Sequence, residues 1–345
     1  MVSGWWPVAS LKQRKFQVSS FEQRPHSITL WCSLAPGSLA AAVSPPPIPA
    51  RSMVGSMHDL PLLDELWFER QGVCLHAVAA GPKDGQLVIL LHGFPEFWYS
   101  WRKQVGPLAE AGFRVVVPDQ RGYNVSSKPP RIADYSVGSL VADVVFIAGR
   151  LGRERFHLAG HDWGAAVAWM TALLIPERLH KLTILNVPHP AVFLRTVRTN
   201  LRQMLRSWYM AFFQLPAIPE LAFSANNFEG GIKSLLGSSR PGTFTPEDLD
   251  QYRKAWSHPG TVTAMINWYR AFFCTRPPLP EDSRVHVPTL ILWGEQDMFL
   301  LPEMAEKSVG YCDSGRLTYF GNASHWLHHE EPEAINAALI EHFRA

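Results

Sequence analysis

The sequence predicts an α/β protein, a mostly parallel sheet covered by helices on both faces and interrupted late in the chain by a helical insertion. Three observations carry this reading. Continuous apolar runs at 87–91, 113–117, 156–159, 182–186 and 289–293 have the composition of strands buried on both faces. Helical patterns separate several of them: 139–151 sets Leu140, Val144, Ile147 and Leu151 on one stripe, and 165–174 is apolar almost all round, as a helix packed directly on a sheet would be. Between Pro188 and about Asp282 the strand pattern stops, and aromatic-rich helical runs broken by Pro216, Pro219, Pro241, Pro246 and Pro259 replace it. The apolar runs resume at Val287, so the insertion interrupts the sheet domain without ending it, and it is placed to cover the carboxyl ends of the strands.

Taken in order, residues 1–57 carry Ser44-Pro45-Pro46-Pro47 and scattered basic residues, follow neither period, and are expected to be disordered. Residues 28–43 are apolar and Ala40-Ala41-Ala42 resembles a cleavage site, but the preceding stretch is long and Pro36-Gly37 interrupts the run, which speaks against a signal peptide. Met53 and Met57 stand just before the first strand pattern, so translation from either, with a dispensable upstream extension, is the expectation. LWFER and VCLHAVA then flank Gln71-Gly72 as a hairpin. The expected division is an extension (1–57), a first part of the core (58–190), a helical lid (191–282) and a second part of the core (283–345).

The 345 residues, 47% of them hydrophobic, suffice for a sizeable core. With 32 Lys and Arg against 30 Asp and Glu, the net charge of +2 offers no footprint for nucleic acid or for an anionic membrane surface, so the expected partner is a neutral small molecule. No run of 18 apolar residues is present to span a membrane. Cys32, Cys74, Cys274 and Cys312 lie far apart without C-x-x-C spacing, which argues against a zinc site and a disulfide framework and points to a reducing, cytoplasmic compartment.

The chemistry is concentrated at Gly160-His161-Asp162-Trp163-Gly164, where an apolar strand pattern passes straight into a helical one. Glycine two residues before and after a central side chain suits a strained strand-to-helix elbow that holds the central group exposed. Here that group is Asp162, ionised at neutral pH and able to attack sp3 carbon as an alkyl ester former; the competing reading is an N-cap aspartate in a turn. Such an ester needs a base and an acid to orient it. Asp297, after the strand 289–293 and a glycine turn, and His325, after a further strand-like run, follow the nucleophile in the order acid, then histidine. Glu295 competes as the acid but lies nearer the strand end; His328 and His329 compete as the base but fall at an apparent helix start, as a solvated face.

Together HGFPEFWYSWR, DQRGYNVSSKP, GHDWGAA, NVPHP, NWYR, WGEQD and SHW resemble an α/β-hydrolase-fold epoxide hydrolase over about residues 60–345. The resemblance implies an oxyanion hole from the backbone N–H groups of Phe94 and Trp163, a cis bond before Pro95, and two lid tyrosines, Tyr209 and Tyr269, that protonate the epoxide oxygen, with Tyr99 a further candidate. Trp268, Phe212 and Phe213, with Phe223 and Phe272, would line an apolar substrate site. No metal or organic cofactor is implied, the partners are an apolar epoxide and water, and a homodimer stays open. Asn124 stands where many relatives carry glycine, and Asn tolerates the left-handed geometry. The rivals are a dehalogenase, which shares the Asp nucleophile and the following Trp163 but often carries Asn where Phe94 stands, or in fluoroacetate dehalogenases Arg where Trp163 stands, and a non-catalytic ligand-binding protein of the same fold; a serine esterase is excluded because G-x-S-x-G is absent.

Overall fold

In a computed structural model, residues 63–275 and 279–345 are described; the expectations for residues 1–57 lie outside them. Eight strands form one sheet in the order β1-β2-β4-β3-β5-β6-β7-β8. They are β1 (Asp64–Arg70), β2 (Val73–Ala80), β3 (Leu87–Leu91), β4 (Arg114–Pro118), β5 (Phe156–His161), β6 (Leu179–Leu185), β7 (Thr289–Gly294) and β8 (Gly315–Phe320). The first two form the expected hairpin, turning through left-handed Gln71 and Gly72, and β2 runs antiparallel to β4. From β4 to β8 every pairing is parallel.

Every residue of β3, β4, β5 and β7 is buried, which is why these strands read as mostly apolar runs and not as alternation, with Arg114, His157, His161 and Thr289 as buried polar members. The start of β6 was not legible in this way, because His180 and Lys181 interrupt its apolar pattern. The helices are α1 (Arg102–Glu110), α2 (Val137–Arg150), α3 (Trp163–Leu174), α4 (Pro190–Thr199), α5 (Leu201–Arg206), α6 (Trp208–Phe212), α7 (Ile218–Ser238), α8 (Pro246–Trp256), α9 (Thr261–Cys274), α10 (Glu303–Val309), α11 (Leu327–Glu330) and α12 (Pro332–Arg344). Successive strand residues point to opposite faces. Val88 and Leu90 therefore pack with Leu108 of α1 and Leu339 of α12, while Ile89 and Leu91 pack with Val144 of α2 and Val167 of α3.

Six helices, α4 to α9, lie between β6 and β7. Two side chains tie α9 to its surroundings. Trp268 donates its indole N–H to the Arg121 carbonyl, and Arg270 pairs with Glu220 of α7 at 2.6 Å while donating to the Phe213 and Leu215 carbonyls. Thr245 and Asp248 close a capping box at the start of α8.

At the elbow between β5 and α3, a Cβ on Gly160 would strike the Gly164 carbonyl, and one on Gly164 would strike the Leu91 carbonyl of β3. Strand and helix therefore meet backbone to backbone. Gly164→Ala is expected to cost about 3 kcal/mol through overpacking, read as a lowered urea midpoint, whereas Gly138→Ala, where the added methyl meets open space, should leave the midpoint unchanged or raise it.

Candidate active site

Asp162 sits at the elbow with φ 49° and ψ −123°, a conformation that costs about 1–3 kcal/mol for a non-glycine residue and persists only where packing enforces it. The consequence is that its carboxylate stands off the sheet edge, at the first turn of α3. The loop after β3 meets it there: the Phe94 N–H donates to Asp162 Oδ1 at 2.7 Å, and the Phe94–Pro95 bond is cis. Gly93 makes this approach possible, since a Cβ at that position would run into the Asp162 side chain.

His325 lies between two carboxylates. Its Nδ1 is 2.7 Å from Asp297 Oδ2 and its Nε2 is 3.6 Å from Asp162 Oδ2. Burial opposes a charge on the ring, but Asp297 and Asp162 outweigh it and lift the imidazole to about 10. Burial likewise opposes ionisation of Asp162, yet His325, His161 and the Phe94 N–H hold it below the ordinary carboxylate value. Asp297 is oriented in turn by the Phe299 and Leu300 N–H groups and by the Asn186 amide, which donates to Asp297 Oδ2 at 2.8 Å. Glu295, the competing acid, is exposed.

Asp162 and His325 open into a cavity of about 420 Å³ whose walls include Tyr209, Tyr269, Phe94, Phe213 and Phe299. The Tyr209 and Tyr269 rings meet edge to face at 5.9 Å. Burial first, then the nearby Asp162 charge, pushes both phenols above their ordinary value, so they stay protonated donors. Phe212 also lines the cavity, with Trp208 beside it. Trp268 does not: anchored to the Arg121 carbonyl and stacked edge to face on Trp163 and Tyr123, it supports the wall from behind, because its one polar atom is committed to the loop below. Tyr99 is bonded to Asp248, away from the cavity.

His328 and His329 correct the expectation of a solvated face, since both are buried. His329 turns inward because Glu96, fully buried in the loop after β3, needs donors: His161 Nδ1 lies 3.0 Å from Oε2, and His329 Nε2 and the Tyr252 hydroxyl reach Oε1 at 2.8 and 3.1 Å. His328 packs between the Trp101 and His161 rings with its Nε2 3.9 Å from Glu96 Oε1. Burial favours the neutral acid here, but these partners hold Glu96 well below the carboxylate range. Burial keeps His329 down at about 4 and His328 well below its usual value. Glu96, His328 and His329 offer ligand atoms within 4.8 Å of one another. Most of that capacity is already committed, because Arg102 approaches His329 Nδ1 at 3.0 Å while its Nε2 faces Glu96. Sequence reasoning missed Asn186, Glu96 and His161. All three lie within the segments NVPHP, HGFPEFWYSWR and GHDWGAA that carry the resemblance, and that membership was their signal.

The site and the fold define a hydrolase built on an aspartate elbow. Residues 86–332 match the alpha/beta hydrolase fold family model, and the chain belongs to that family. It is 43% identical over 274 residues to AB hydrolase superfamily protein YfhM of Bacillus subtilis, covering 79% of this chain and 95% of that one. Mouse epoxide hydrolase 4 is 40% identical over 275 residues, covering 78% and 76%. A Bacillus megaterium epoxide hydrolase, solved in complex with an inhibitor, superposes with a TM-score of 0.74 at 32% identity over 81% of this chain and all of its own.

Removing the Asp162 charge takes away one of the two carboxylates that keep His325 protonated. In Asp162→Asn the His325 resonance should therefore titrate at lower pH than in the parent, where the imidazolium persists toward about 10; histidine NMR titration of both proteins checks the sign.

Proposed function

We infer that this chain is an epoxide hydrolase that adds water to an epoxide and releases a vicinal diol through an ester on Asp162. The observation that carries the reading is the pairing of Asp162 with Tyr209 and Tyr269 in the walls of one apolar cavity, with the His325–Asp297 pair beside the carboxylate. A carboxylate nucleophile alone would serve a dehalogenase equally well. Two protonated phenols suit a ring oxygen that must leave as an alcohol, and Phe94 supplies no side-chain donor for a halide.

Asp162 attacks the less hindered ring carbon from behind and the carbon–oxygen bond breaks. Tyr209 and Tyr269 hydrogen-bond the developing alkoxide, and one gives it a proton. Formation of the ester consumes the Asp162 charge, so one of the two groups that held the proton on His325 disappears. His325 returns that proton to the tyrosinate and becomes a neutral base, still oriented by Asp297. It then takes a proton from water as hydroxide adds to the ester carbonyl. The oxyanion lies against the N–H groups of Phe94 and Trp163, the latter in the first turn of α3, where the helix offers its own N–H groups no partner. Collapse expels the diol oxygen, which takes the proton of the carboxyl group, and the carboxylate is again beside the His325 imidazolium. No step calls on a metal or an organic cofactor.

The helical segment 191–282 is read as a lid that keeps bulk water from the ester, which is supported by both tyrosines belonging to it. Among the described residues no helix is long and apolar enough to cross a membrane. A cytoplasmic location is supported by Cys74, Cys274 and Cys312 standing free.

The test is a single turnover of styrene oxide with enzyme in excess in 18O-labelled water. Unlabelled diol in the first turnover, with label entering the Asp162 carboxylate, is expected. Asp162→Asn should lose activity by about a thousandfold or more, and His325→Gln should trap the ester. Solvent label in the first diol, with an active Asp162→Asn, would sink the nucleophile assignment, and halide release from haloalkanes without diol would favour the dehalogenase.

A further inference from the structure

The whole-chain charge of +2 conceals a local asymmetry. Residues 178–219 contain no Asp or Glu, yet carry Arg195, Arg198, Arg202 and Arg206. Arg195, Arg198 and Arg202 are exposed, and none of the three forms an ion pair among the described residues. The same stretch also exposes large apolar side chains. Leu201 and Leu205 are each 64% exposed and Trp208 is 65% exposed, with Met204 between them, at spacings of three and four residues that put them on one outward face. Leu215, Ile218 and Leu221 continue the exposed apolar surface into α7. Single exposed apolar residues need no explanation, but a run of this kind joined to a cationic edge does. This face is also continuous with the proposed catalytic site, because Trp208 both projects to the outside and lines the cavity that holds Asp162.

We propose that α5, α6 and the start of α7 dock on an anionic lipid surface, seating the cavity mouth against the bilayer so that lipophilic epoxides enter from it. The substrate part of this proposal rests on the epoxide hydrolase reading; the docking part does not. The chemistry fits an interfacial helix, whose apolar side chains sink below the headgroups while arginines at its edge meet lipid phosphates. A second copy of the chain fits less well, since a two-fold pairing of this face would set its arginines against one another, and Glu220, the acid at its α7 end, is already paired with Arg270. The surface lies on the membrane and does not span it, in keeping with the absence of a spanning helix among the described residues.

The test uses the full chain with vesicles of phosphatidylcholine, alone or with one-third phosphatidylglycerol, in co-sedimentation. The protein should pellet with the mixed vesicles and stay in solution with phosphatidylcholine alone. Arg198→Glu/Arg202→Glu and Leu201→Glu/Leu205→Glu should each weaken pelleting by about tenfold or more, and should lose by a similar factor the hydrolysis of a long-chain epoxide dissolved in those vesicles. Both variants should hydrolyse styrene oxide in solution at the parental rate, which shows that they fold and separates docking from chemistry. A protein that remains in the supernatant, variants that pellet as well as the parent, or a solution dimer that Leu201→Glu/Leu205→Glu splits would overturn the proposal. Pelleting without turnover of any epoxide would refute the hydrolase reading and the entry route with it.

Discussion

The interaction on which the site depends is the His325 imidazolium held between Asp297 and Asp162. Two buried carboxylates close together would repel, and either alone with a neutral histidine would carry an uncompensated charge. With the ring protonated, the three groups hold a single net negative charge and burial becomes tolerable. The charge on His325 is therefore a condition of burying Asp162 and Asp297 on either side of it. It also supplies a timing device, because the pairing that stabilises the resting state is dismantled by the very bond that forms the ester.

The sheet supplies the geometry for this. β3, β5, β6 and β7 run parallel, so their carboxyl ends lie together and the loops that follow them deliver Phe94, Asp162, Asn186 and Asp297 to one edge. Asn186, itself left-handed with φ 51°, ties the loop after β6 to the end of β7, to the loop after β7 and to the loop after β8 by donating to Asp297 and to the Ser324 carbonyl while accepting from the Gly294 N–H. Behind His325, the His161 ring bonds the His325 carbonyl from one side and Glu96 from the other. His325 is thus held through its backbone as well as its ring. The helices above add what the sheet cannot, an apolar enclosure with two phenols turned into it.

Much of this was legible in the chain. Strands buried on both faces announce themselves because nearly every position is apolar, and the glycines flanking Asp162 announce the elbow because no side chain fits where β3, β5 and α3 cross. The order nucleophile, acid, histidine could be read because each member follows a strand end. Tyr209 and Tyr269 could not be told from packing aromatics by spacing; only the resemblance of their surroundings singled them out. Trp268, in the same run as Tyr269, shows the limit. One residue apart on α9, the phenol faces the cavity and the indole faces Arg121, a distinction set by how the helix is rotated on the loop beneath it.

By itself, then, the sequence determined the parallel sheet, the point at which helices interrupt it, and the carboxylate at the elbow, because these follow from local steric and hydrophobic rules that act between near neighbours in the chain. Tertiary structure alone decided the rest. His329 faces inward because a glutamate more than two hundred residues earlier is buried and requires donors, and Asn186 serves Asp297 because two parallel strands end side by side. The balanced whole-chain composition hides a cation-rich segment that the sequence itself shows, but only the fold sets its exposed apolar groups beside the cavity mouth. Charge sums over a chain are blind to where folding puts the charges.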